Sequence, residues 1–292
     1  MELTTEFKQK VRAAILDGKT NFEGSEESYA KSLGLNPAVY SRLKKGEIDN
    51  IVSAAVWIDI SRKLQVKRVD DNWKVVRTSV YIELEDSLKF CQQFSKAMIF
   101  SDECDIGKTF CSRHILKGMK NAFYVDASQC KTKSQFIRSL AKIVGVDSNG
   151  KYNDVKENLK WALINIEKPL IVIDEAGDLD YSAFLEIKEI WNATENCCGM
   201  YLMGADGLQT KLDKGFKNKK VGFAEILSRF SDEIIKIVPT GHDDRKAFFS
   251  NLINDVANAN CPDKTKVSNL VRKCLDKNKK LRHLDTLIKL SA

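Results

Sequence analysis

The sequence predicts an α/β chain: a three-layer domain built on a parallel sheet, preceded by an all-α segment and followed by a small helical lid. Three observations carry this. Short apolar, β-branched runs alternate with helix-like stretches through the middle of the chain, residues 1–70 read as helical, and beyond Asp243 apolar residues recur at helical spacing with no strand signal between them. A length of 292 residues exceeds what one ordinary domain needs. The expected units are therefore 1–70 and 71–292, the second divided into an α/β core at 71–240 and a lid at 241–292.

In the first unit, Glu27–Glu47 (ESYAKSLGLNPAVYSRLKKGE) places the small Ala30 where two helices cross, Gly34 at the turn, and Tyr40 and Leu43 on the buried face of the second helix. Asn36 suits an N-cap and Pro37 the first helical position. This segment resembles the helix-turn-helix of phage repressors, which implies that Asn36, Ala38, Ser41, Arg42 and Lys45 face the major groove of DNA or its phosphates. Residues 1–70 hold 12 Lys+Arg against 10 Asp+Glu, so weak DNA affinity is expected. A helical bundle using the same turn for protein contact is the alternative. Trp57 is expected in the core rather than as a base-stacking platform.

Five strand candidates follow: Ala97–Ser101 (AMIFS), Ala122–Asp126 (AFYVD), Leu170–Ile173 (LIVI), Met200–Met203 (MYLM) and Ile234–Val238 (IIKIV). After the first comes Asp102–Thr109 (DECDIGKT), which resembles a phosphate-binding P-loop. In such a loop, successive backbone amides and a helix N-terminus face the phosphates. The resemblance places Asp105, Ile106, Gly107, Lys108, Thr109 and Phe110 against ATP, with Lys108 on the β and γ phosphates and the Thr109 hydroxyl on Mg2+. One departure stands out: the pattern GxxxxGK[ST] expects glycine where this chain has Asp102, and Glu103 and Asp105 add two more acids. Carboxylates beside phosphate are expected to weaken nucleotide binding, and Asp102 is expected to take the unusual backbone turn itself.

Pro169–Asp180 (PLIVIDEAGDLD) resembles a Walker B strand, an apolar run that ends in two adjacent acids. At the C-terminal edge of a parallel sheet, where ligands bind, Asp174 would support the magnesium and Glu175 would orient and deprotonate the attacking water. Glu225–Pro239 resembles the arginine-finger region, with Arg229 reaching the γ-phosphate of a neighbouring subunit. A surface Arg229 paired with Asp232 or Glu225 is the other reading. Lys277–Leu290 resembles a sensor 2 helix, with Arg282 contacting the nucleotide. At the sensor 1 position stands Ala205, for which the neighbouring Asp206 is the candidate substitute, and turnover is expected to be slow or to need an activator.

Taken together, a helix-turn-helix followed by a compact AAA+ module resembles the family of the phage Mu transposition B protein and its TnsC-like relatives. The resemblance implies a phage or mobile-element ATPase that binds ATP and Mg2+, assembles as a homo-oligomer (ring or helical filament) on double-stranded DNA, and selects targets for and stimulates a transposase. It further implies DNA contacts from the core, for which Lys131, Lys133 and Lys151 are the candidates, and Lys214, Lys217, Lys219 and Lys220 form a second cluster. Replication initiators or helicase loaders share the same ATPase motifs, and a nucleotide-gated transcription regulator would use the helix-turn-helix as its working part.

Eight scattered cysteines with no CxxC pair suggest reduced thiols rather than zinc, and the three histidines have no metal-like arrangement. No apolar run of membrane-spanning length and no secretory signal pattern occurs, so a cytoplasmic location is expected. A net charge of +7 is compatible with a polyanionic partner without demanding one.

Overall fold

The computed structural model describes residues 3–20, 22, 24–64, 66, 73–230 and 233–291. Helices α1 (Thr5–Thr20), α2 (Glu26–Leu33), α3 (Pro37–Lys44) and α4 (Ala54–Lys63) form the N-terminal unit. Their apolar faces meet in one cluster that includes Val11, Ile15, Ala30, Leu43, Trp57 and Ile60. Trp57 is 1% exposed, which places it in the core as expected. Gly34 closes α2 at φ 78°, a left-handed conformation that costs glycine no Cβ clash, while Asn36 Oδ1 accepts the Ala38 amide at 2.9 Å to start α3. The expected boundary between residues 70 and 71 lies outside the described residues.

The central unit alternates α5 (Ser79–Phe94), β1 (Ala97–Ser101), α6 (Lys108–Leu116), β2 (Ala122–Asp126), α7 (Lys133–Val144), α8 (Tyr152–Asn165), β3 (Leu170–Asp174), α9 (Tyr181–Ala193), β4 (Gly199–Gly204), α10 (Asp206–Lys217), α11 (Phe223–Arg229) and β5 (Ile234–Ile235). The strands pair in parallel in the order β2-β3-β4-β1-β5. Helices cover both faces, so successive strand residues enter opposite cores: Ile171 and Ile173 pack with Phe136 and Phe184, whereas Leu170 and Val172 pack with Leu84 and Leu88. A strand buried on both sides reads as an uninterrupted apolar run, which is why LIVI and MYLM were visible in the sequence.

Three C-terminal helices, α12 (His242–Asn260), α13 (Val267–Asp276) and α14 (Leu281–Ser291), complete the chain. Ile253, Leu270 and Leu284 continue the apolar cluster that lies under α5 and α6. One correction concerns the last strand, expected over Ile234–Val238 but ending at Ile235. The Asp102 carboxylate accepts the next available amides, those of Ile237 at 2.7 Å and Val238 at 2.9 Å, and so ends the ladder. All eight cysteines are free thiols. Among the described residues, no helix is long and apolar enough to cross a membrane.

Candidate active site

The sheet order decides where polar groups gather. β1 and β3 flank β4, so the loop after β1 and the acids ending β3 emerge on either side of β4 at the C-terminal edge. Between β1 and α6 the chain makes its sharp turns at Asp105, φ 64°, and Gly107, φ 97°, and Gly107 is the N-cap of α6. Asp102 is not among the residues of positive φ, so the unusual turn expected of it falls on Asp105 instead.

Lys108 is 8% exposed, and its ammonium donates to the carbonyls of Asp102 at 2.8 Å and Glu103 at 2.5 Å. Burial pulls its pKa down, opposed by the charges of Asp102, Glu175 and Asp174. Across from it, the Thr109 hydroxyl donates to Asp174 Oδ2 at 2.7 Å, and Tyr124 Oη donates to the same oxygen at 2.5 Å. Asp174 Oδ1 accepts the Glu175 amide at 2.9 Å. Glu175 sits at φ 50°, ψ 39°, a left-handed conformation that costs a non-glycine residue about 1–2 kcal/mol. Desolvation, then the neighbouring Asp174, raises its pKa, and Lys108 opposes the rise. Lys211 of α10 donates to the carbonyls of Gly177 and Leu179 and holds the turn that follows.

The three acids of the loop are each occupied within the chain. Asp102, besides capping Ile237 and Val238, accepts the Glu103 amide at 2.7 Å. Glu103 pairs with Arg245 of α12 and, at 2.6 Å, with Lys280 just before α14. Asp105 accepts the Arg282 amide at 3.0 Å, in the first turn of α14. Two of these three carboxylates thus hold the C-terminal helices, through partners more than a hundred residues away, and no local motif signals that. Asp102→Gly, which restores the usual glycine, is expected to strip an acceptor from three amides and lower stability by about 1–3 kcal/mol. Chemical denaturation reads this as a lower midpoint, and an unchanged midpoint would mean that water replaces the carboxylate at no loss.

The sequence-predicted residues divide into two sets. Asp105, Ile106, Gly107, Lys108, Thr109, Phe110, Glu175 and Arg282 line one cavity of about 1330 Å³, whose apolar wall includes Trp73, Val75, Leu252, Val256 and Leu281. Asp174 adjoins it through Thr109. Ala205 lines the cavity, while Asp206 is exposed at the start of α10. Arg229 lies away from that cavity: its Nε donates to Asn192 at 2.8 Å, its Nη1 to the Glu225 carbonyl at 2.9 Å, and its guanidinium covers the Trp191 ring. The Glu225 carboxylate pairs with Lys188 instead, and Asp232 lies outside the described residues. Ala38, Ser41, Arg42 and Lys45 are exposed, opposite the buried Tyr40 and Leu43. Arg42 pairs with Glu47 at 2.7 Å. Lys131 pairs with Asp178 and Lys133 with Glu186, both at 2.9 Å, whereas Lys151 is exposed at the start of α8. Sequence reasoning missed Tyr124, Lys211, Arg245 and Lys280.

The arrangement fits a magnesium–triphosphate group chemically. A buried ammonium donates to two carbonyls, a hydroxyl and a carboxylate stand together, and a helix N-terminus opens on the same cavity. No curated protein matches the chain. A protein-family model described as an AAA domain matches residues 103–212, from the loop after β1 through β3 and β4 into α10. The chain therefore carries an AAA+ ATPase domain across that central segment, a unit of nucleotide binding and hydrolysis.

Proposed function

We propose that this chain is an ATP-dependent DNA-binding ATPase that oligomerises on double-stranded DNA and regulates transposition, through target selection and activation of a transposase. The observation that carries the reading is the grouping of Lys108, Thr109, Asp174 and Glu175 at one edge of the sheet, in a chain that also presents an exposed face of α3. Bound magnesium supplies charge neutralisation to the phosphate oxygens. Thr109 and Asp174 hold it, Lys108 and the loop amides bind the phosphates, and Glu175 takes a proton from the attacking water.

Action of Arg229 on a neighbour's phosphate rests on the resemblance of Glu225–Pro239 to the arginine-finger region; within its own chain Arg229 is held by Asn192 and the Glu225 carbonyl. The helix-turn-helix reading of α2 and α3 rests on the Gly34 and Asn36 caps and on the outward Ala38, Ser41, Arg42 and Lys45. Transposition as the process rests on the resemblance of this domain order to the phage Mu B protein and TnsC-like family. The ion pairs of Lys131 and Lys133 leave Lys151 as the freer of the proposed core contacts to DNA.

The test is binding to random-sequence duplex DNA with ATP, with ADP and without nucleotide, followed by electron microscopy. ATP-dependent filaments that form on any sequence are the expected outcome. Nucleotide-indifferent binding to a single site would overturn it in favour of a transcription regulator, and ATP-dependent recruitment of a helicase in place of a transposase would favour a replication loader.

A further inference from the structure

Tyr124 belongs to β2, which β3 and β4 separate from β1, the strand before the loop that carries Lys108, and its hydroxyl still reaches the site. The register explains the reach: β2 pairs with β3 so that Asp126 lies opposite Asp174 and Tyr124 opposite Val172. From there its Oη donates to Asp174 Oδ2 at 2.5 Å, the oxygen that also receives the Thr109 hydroxyl. The backbone amide of Glu175 takes Oδ1. Asp174 is 2% exposed, so these donors rather than water set the orientation of its carboxylate.

The tyrosine is itself held. Arg113 of α6 places its guanidinium 4.7 Å from the Tyr124 ring centre and pairs with Asp126 at 3.6 Å. Arg113 is one turn along from Thr109 on the same helix. A closed circuit therefore runs from Thr109 to Asp174, Tyr124 and Arg113, and back along α6.

We propose that Tyr124 is a positioning residue for the magnesium site: it fixes the Asp174 carboxylate in the orientation in which, with Thr109, it serves the metal. The inference rests on the nucleotide reading above and adds to it a residue from outside the phosphate loop and the acidic strand end. Groups that orient metal-binding carboxylates commonly matter about 10–100-fold in metal affinity when removed. Phenylalanine keeps the ring and its contact with Arg113 and removes only the donor.

The experiment compares wild type with Tyr124→Phe by binding of a fluorescent ATP analogue, first in chelator and then across a magnesium titration, with thermal unfolding of the nucleotide-free proteins alongside. The expected result is a rise of about tenfold in the magnesium concentration for half-maximal enhancement of binding. Binding in chelator should be unchanged, and the unfolding midpoint should fall slightly, as the loss of one hydrogen bond to a buried carboxylate requires. In an Asp174→Asn background, Tyr124→Phe should cause no further shift. An equal magnesium dependence in wild type and Tyr124→Phe would overturn the positioning role while leaving the nucleotide site intact. A shift in chelator as large as that in magnesium would overturn it too, since a general packing defect moves both. Failure of the wild type itself to bind the analogue with magnesium would instead overturn the nucleotide reading and this inference with it.

Discussion

Lys108→Ala is expected to lower ATP affinity by at least about 100-fold, the scale of removing one partner from a buried charged contact. Among the described residues its ammonium donates to two carbonyls, in a site where burial already disfavours the charge. An incoming phosphate adds an opposite charge in direct contact, beyond the nearby charges of Asp102, Glu175 and Asp174, and in a buried site that contact is worth far more than at a surface. Titration calorimetry with ATP and magnesium measures the loss. Affinity within threefold of wild type would mean that Lys108 serves the loop carbonyls and not a nucleotide.

Glu175→Gln separates binding from hydrolysis. Glutamine preserves shape and polarity but cannot take a proton, and loss of a positioned base commonly lowers a rate by about 10²–10⁴-fold. Hydrolysis, read as phosphate release, should fall by that factor while ATP affinity stays within a few fold, because the Glu175 amide and not its carboxylate supports Asp174. The left-handed backbone at φ 50° is a cost that the fold tolerates at this residue, which agrees with a side chain aimed for chemistry. Equal hydrolysis by the variant would move the base to another residue.

Much of this was legible in the sequence, for identifiable reasons. β1, β3 and β4 announce themselves because both faces are buried, and GKT and DE are local patterns whose chemistry depends on adjacency. The C-terminal helices and the caps around Gly34 and Asn36 were likewise written in short-range spacing. Tyr124 was hidden inside an apolar-looking strand, because its function depends on which strand lies beside it, and that order is fixed by the whole sheet. Asp102 misled for a similar reason. Read along the chain, it is an acid where phosphate should lie; in space it caps the backbone beyond β5, 135 and 136 positions away. The lysines of the loop after β2 show the opposite failure, since a count of charges does not reveal that Asp178 and Glu186 engage two of them.

The ties from Glu103 and Asp105 to Arg245, Lys280 and Arg282 bear on how far a change in such a loop is felt. A glycine-rich phosphate loop holds its ligand through its own backbone amides and the helix that follows. This one is tied to helices that arrive well over a hundred residues later, so a change at Glu103 or Asp105 would reach the seating of the C-terminal helices as well as the loop.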